Sequence, residues 1–200
     1  MIISKEFRCD LAHVVVTQDL PDKYACKCKN LHGHTVIIRP RIKGPINERT
    51  RMILDYALLK PFKNFIDTYL DHSFIVAKPL LVVKPDTVEK VNELVSYIND
   101  GSAPYVESKY SYGSLVLAER HSSVTVLNTV STTAEDMANY LSVILITCLA
   151  RIDKKYLPDG DLFVSVKFKE TLTTSAISDW FSVNDYITPD AIKQLDFIAG

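Results

Sequence analysis

The stretch CKCKNLHGH, residues 26 to 34, places two cysteines and two histidines within nine positions of a 200-residue chain that holds four cysteines and five histidines in all. His32 and His34 are two apart, and on a β-strand that spacing puts both imidazoles on one face. A third ligand would complete an open, catalytic type of zinc site, with a fourth position left for water or a substrate oxygen. His13, at the end of a preceding strand-like segment, is the candidate. A metal held this way polarises an oxygen or acidifies a neighbouring C–H. Gly33 leaves room for a close approach of backbone or substrate. Two other readings of the same residues stand beside this one. Cys26 and Cys28 with His32 and His34 would make a closed structural zinc site, and a bare His-x-His is also at home as surface histidines in a loop-to-strand turn.

The elements that must position these residues follow from periodicity. Residues 2–16 (IISKEFRCDLAHVVV) alternate and are rich in β-branched residues, which predicts a strand; 21–30 is polar and loop-like, and 34–44 is a second strand. Pro40 removes a ladder donor from that strand and belongs at an edge or a bulge. Residues 56–70 have helical spacing, with Leu58, Phe62, Phe65, Ile66 and Leu70 on one face and Pro61 near the first turn. A helix is predicted over 85–101, a hairpin over 112–130 turning at ERHSS with His121 in the turn, and a second strong helix over 132–152, capped by Thr132 or Thr133. Residues 161–171 alternate as a strand, 176–183 can pair with it, and a short helix can follow Pro189. Helices and strands in this order give an α+β class.

Composition narrows the function. The formal net charge is -1 and 24% of residues are charged, so no overall field points to nucleic acid or membrane. The first 60 residues carry eleven Lys or Arg against six Asp or Glu, a local bias compatible with an anionic small substrate. The longest apolar segment, 141–150, falls short of the ~18 residues of a membrane span, and charges stand where a signal peptide has its apolar stretch. A cytoplasmic protein with reduced thiols is expected.

FRCDLAH, CKNLHGH, MILDYALLK, YLDHSFI, TTAEDMA and VKFKET occur in that order. Together they resemble the motifs of the 6-pyruvoyltetrahydropterin synthase and 6-carboxytetrahydropterin synthase family, over roughly residues 3 to 75 and 131 to 182. The resemblance implies a tunnelling fold (T-fold), a ββααββ unit with antiparallel sheet and two main helices, assembled as a homohexamer of two stacked trimers with active sites across subunit interfaces. It implies zinc held by His13, His32 and His34, a catalytic thiol, Asp71 and His72 as the pair that activates the thiol or shuttles protons, and Glu170 as the pterin anchor. A carboxylate suits that last role because it accepts two parallel hydrogen bonds. Thr133 and Glu135 match the family's Thr-x-Glu, in a role that is substrate-binding or helix-capping, and Asp55 matches an aspartate followed here by Tyr56.

Cys28 has the spacing to His32 of the carboxy-forming branch and Cys26 that of the pyruvoyl-forming branch; Leu31 favours Cys28. Lys27 and Lys29 beside it favour thiolate. The implied reaction is the conversion of 7,8-dihydroneopterin triphosphate to 6-carboxytetrahydropterin, on the route to 7-deazaguanine compounds such as queuosine. The alternatives are 6-pyruvoyltetrahydropterin formation or pterin binding without catalysis. The chain departs from the family pattern in a single domain, 1–200, that carries an insertion of an extra helix and hairpin at about 76–130.

Overall fold

In chain order the strands are β1 (Ile2–Ser4), β2 (Phe7–His13), β3 (His32–Lys43), β4 (Ser73–Ala77), β5 (Val106–Tyr110), β6 (Gly113–Leu117), β7 (Val124–Leu127), β8 (Phe163–Lys169), β9 (Ser175–Ile177) and β10 (Phe181–Ser182). The α-helices are α1 (Lys60–Phe65) and α2 (Ala134–Ala150). The structure, a computed structural model, describes residues 1–15, 27–77, 106–110, 113–117, 124–127, 129 and 131–184. Cys26, the helix expected over 85–101, the turn containing His121 and the helix expected after Pro189 lie outside the described residues. The chain divides into two units. The first comprises Met1–Cys9, Thr35–Thr68 and Ala134–Gly200, and the second Asp10–His34 and Tyr69–Thr133.

In the first unit β3 pairs antiparallel with β8, Ile38 opposite Phe168 and Ile42 opposite Val164. Alternation sorts the two faces. Val36, Ile38, Ile42, Val164, Val166 and Phe168 are buried, and α2 packs against β8. Most of α2 is enclosed, with Met137, Leu141, Ile144 and Leu145 fully buried, as its apolar run predicts. The strand expected over 2–16 is two strands, and Pro40 is the reason. β1 pairs with β3 so that Ser4 faces Arg41, which sets Lys5 opposite Pro40. Pro40 has no N–H to give; only its carbonyl is met, by the Lys5 N–H at 3.4 Å. The ladder is interrupted there, and β2 begins at Phe7. Pro40 is thus not at an edge, since its other side is in register with Val166 on β8.

The helix expected over 56–70 changes pitch twice: a 3₁₀ turn at Tyr56–Leu59, then α1, then a π-turn at Ile66–Leu70. The Asp55 carboxylate caps its start, accepting from the Ala57 N–H at 2.8 Å, and Pro61 sits in the first turn of α1. Because a 3₁₀ turn repeats every three residues, Leu59 rather than Leu58 leads the buried stripe, followed by Phe62, Ile66 and Leu70.

The predicted partner of β8 is β9 and β10 together. Lys167 faces Ile177 and Val164 faces Phe181, so the partner strand carries one residue more than β8 between those pairs, a bulge. Ser178 fills it. Its Oγ accepts the Val166 N–H at 3.0 Å and lies 2.7 Å from Ser142 Oγ, while the Ser165 hydroxyl donates to the Ser178 carbonyl at 2.9 Å.

In the second unit β4 runs parallel to β2, Leu11 opposite Ser73, and β7 runs parallel to β4, Ile75 opposite Thr125. The sheet is therefore mixed rather than wholly antiparallel. The hairpin expected over 112–130 is not formed as such. β6 pairs instead with β5, closing at Tyr110 opposite Gly113, while β7 joins β4. A two-residue connection makes the β5–β6 pairing the more local one, and β7 gains burial of Thr125 and Leu127. β5 and β6 thus form an antiparallel pair of their own.

Replacing Ser178 by Ala leaves the buried Val166 N–H without its acceptor, and stability is expected to fall by about 1–3 kcal/mol. Leu172→Ala, at a position 89% exposed, is expected to change it by less than about 0.5 kcal/mol. Urea denaturation of the two variants and the parent checks both.

Candidate metal centre

His13 ends β2, and His32 and His34 open β3; all three belong to the second unit. Their ring centroids are 4.6 Å (His13–His32), 5.3 Å (His13–His34) and 4.9 Å (His32–His34) apart. One ring nitrogen from each lies within 4.8 Å of those of the other two. The close approach of the strands is helped by Gly33, where a Cβ would stand 3.3 Å from the Leu11 carbonyl oxygen.

The hydrogen bonds fix which nitrogens are on offer. Nδ1 of His13 is 2.9 Å from the Thr132 carbonyl oxygen, and Nδ1 of His32 is 2.7 Å from that of Asn30. A carbonyl only accepts, so in both rings Nδ1 carries the proton and Nε2 the lone pair. The Nε2 atoms of His13, His32 and His34 are all buried and make no hydrogen bond. Burial holds His13 neutral, its pKa pushed down to about 4, against a smaller opposing effect of the Thr132 carbonyl. An imidazole with Nδ1 tied to a carbonyl and Nε2 turned inward, as His13 and His32 are here, is the form in which histidine binds a metal, so the residues present fit one. Among the described residues no cysteine joins this group.

Cys28 lies in the 3₁₀ turn Lys27–Lys29 and is half-buried. Its carbonyl accepts the Val15 N–H at 2.8 Å, which ties the turn to the chain just past His13. Of the other described cysteines, Cys9 is buried in the core and burial pushes the Cys148 thiol up to about 11.

Asp71 and His72 form a pair, His72 Nδ1 to Asp71 Oδ2 at 3.1 Å. The Asp10 backbone holds both: its N–H donates to Asp71 Oδ1 at 2.9 Å, and its carbonyl accepts the His72 N–H at 2.6 Å. His72 has a φ of +56°, in the left-handed region, and its side chain is 79% exposed. Thr133 is half-buried and its N–H donates to Ser131 Oγ at 3.2 Å. Thr132 does not cap α2, because its hydroxyl donates to the Val14 carbonyl at 3.0 Å. Glu135, exposed on the first turn of α2, and Glu170, half-buried directly after β8, belong to the first unit.

Sequence reasoning missed the groups that aim the site: the carbonyls of Thr132 and Asn30 and the backbone of Asp10. Every residue carries these atoms, so no residue type signals them.

A family model described as 6-pyruvoyl tetrahydropterin synthase matches residues 2–180. The chain is 38% identical over 77 residues to a 6-carboxy-5,6,7,8-tetrahydropterin synthase of Haemophilus influenzae, covering 36% of this chain and 50% of that protein. It is 30% identical over 99 residues to the protein of the same name from Aquifex aeolicus, covering 44% and 61%. The chain thus spans about half the length of the curated relatives it matches. Among solved structures it resembles the 6-pyruvoyl tetrahydropterin synthase of Plasmodium falciparum, with a TM-score of 0.62 at 18% identity over 88% of this chain and 95% of that one, a likeness of fold. It also resembles an uncharacterised protein from Wolinella succinogenes, with a TM-score of 0.57 at 25% identity over 88% and 96%. A match running through nearly the whole chain, on a fold shared with solved members, has one consequence: the chain belongs to the 6-pyruvoyl tetrahydropterin synthase family.

Proposed function

We propose that the protein is a zinc-dependent lyase that converts 7,8-dihydroneopterin triphosphate to 6-carboxy-5,6,7,8-tetrahydropterin. The observation that carries the reading is the set of three imidazoles whose buried ring nitrogens gather within 4.8 Å of one another; the names of the Haemophilus and Aquifex relatives support the carboxy product. His13, His32 and His34 hold the zinc, which when bound supplies Lewis acidity toward the substrate's side-chain hydroxyls. Cys28, at the half-exposed turn before the first of the paired histidines, takes the carbon-bound proton as general base. Asp71 orients His72, so that an imidazole open to solvent delivers or removes the next proton. Glu170 accepts the ring N–H and exocyclic amine of the pterin as two parallel hydrogen bonds, with Thr133 and Glu135 as further substrate contacts.

Membership of the family supports a homohexamer of two stacked trimers acting in the cytoplasm on the route to 7-deazaguanine compounds; light scattering at six chain masses tests the assembly. No helix among the described residues is long and apolar enough to cross a membrane. The 76–130 segment we take as an insertion in one domain. The 6-pyruvoyl product is the second reading, favoured by the family description and by Cys26.

Incubation with dihydroneopterin triphosphate and zinc, followed by mass spectrometry, is expected to yield the carboxy product with acetaldehyde and triphosphate. A pyruvoyl product without acetaldehyde would establish the second reading, and unchanged bound pterin would make the protein a binder. Cys28→Ala is expected to keep its metal and lose roughly 10²–10⁴-fold in turnover, whereas Cys26→Ala keeps its activity. His13→Ala and His34→Ala are expected to emerge from dialysis without stoichiometric zinc, read by elemental analysis.

A further inference from the structure

Thr132 makes two hydrogen bonds to adjacent residues at the end of β2. Its carbonyl accepts from Nδ1 of His13 at 2.9 Å, and its hydroxyl donates to the Val14 carbonyl at 3.0 Å. Both Thr132 and His13 are 0% exposed, so neither bond competes with water. The contact joins residues 119 positions apart, and it comes just before α2. The two bonds act in different directions. The hydroxyl fixes where residue 132 lies relative to the backbone of residue 14, and the carbonyl, once fixed, dictates the proton position and rotation of the His13 ring. Ser131 steadies the same turn, since its Oγ accepts the Thr133 N–H at 3.2 Å.

We infer that Thr132 is a positioning residue for the metal centre: its side-chain hydroxyl anchors the carbonyl that holds His13 in the Nδ1–H tautomer, with Nε2 aimed at His32 and His34. No sequence motif assigns Thr132 this role, and it rests on the metal centre of the proposed function. Groups that orient a ligating histidine in this way are worth 10–100-fold in metal affinity. Threonine suits the position, because only a buried side chain with a donor reaches the Val14 carbonyl.

The test uses the full chain and Co²⁺ as the probe. Thr132→Val preserves shape and removes the donor, and Thr132→Ser keeps the donor. Affinity is read by chelator competition and ligand geometry by the visible Co²⁺ spectrum, with a circular dichroism melt to compare the folds. Thr132→Val is expected to bind Co²⁺ 10–100-fold more weakly with an altered spectrum, and Thr132→Ser to restore both. Equal affinity in Thr132→Val and the parent, or a serine variant as weak as the valine one, overturns the inference. The His13 tautomer of the metal-free parent, read by long-range ¹H–¹⁵N correlation, bears on it without any variant: Nδ1–H supports it and Nε2–H overturns it. If the parent takes up no Co²⁺, the zinc reading fails on its own account, and the tautomer still decides whether the Thr132 carbonyl sets the ring.

Discussion

Three ring nitrogens facing one another inside a protein without hydrogen bonds are costly. Each Nε2 in the histidine cluster is withdrawn from water, and a buried polar atom that makes no hydrogen bond costs roughly 1–3 kcal/mol. Burial holds His13 neutral. The arrangement persists because the ring positions are not the histidines' own choice. They follow from backbone ladders and, for His13 and His32, from carbonyls that occupy Nδ1. A metal ion turns the same cost into a gain, so that binding and folding free energy are linked at this point of the chain.

The periodicity that sorts the apolar residues of these strands also places their histidines. Along β2 the inward row runs Phe7, Cys9, Leu11 and His13, all buried. Along β3 it runs His32, His34, Val36, Ile38, Pro40 and Ile42, even positions throughout. Two-residue periodicity thus sets both hydrophobic burial and ligand direction. A one-residue slip of either strand would expose its apolar row and turn its histidines to the opposite face together.

This shared periodicity is why so much was legible beforehand. Alternation and the His-x-His spacing bring out β2, β3 and the convergence of His13 on the pair, and the apolar run of α2 reads directly as a buried helix. What escaped depends on partners remote in sequence. Lys5 breaks the first strand only because the β1–β3 register brings Pro40 opposite it. The buried stripe begins at Leu59 only because the first turn winds as 3₁₀. β7 leaves the local hairpin for β4 because a parallel partner offers burial, and no turn residue announces that. The Thr132 carbonyl is invisible for a simpler reason, being an atom that all residues possess.

Solvent access separates the histidines into two kinds. His13 is fully buried and tied by Nδ1 to a carbonyl. His72 is 79% exposed and tied by Nδ1 to a carboxylate. The backbone of His72 is held at a positive φ, a conformation that costs a non-glycine residue of order 1 kcal/mol or more and persists only where surroundings impose it. Here they do so through the two Asp10 backbone bonds, one to each member of the pair. Asp10 is three residues before His13 on the same strand. The strand that carries the buried His13 therefore also braces the exposed Asp71–His72 pair, and a single element sets both imidazoles.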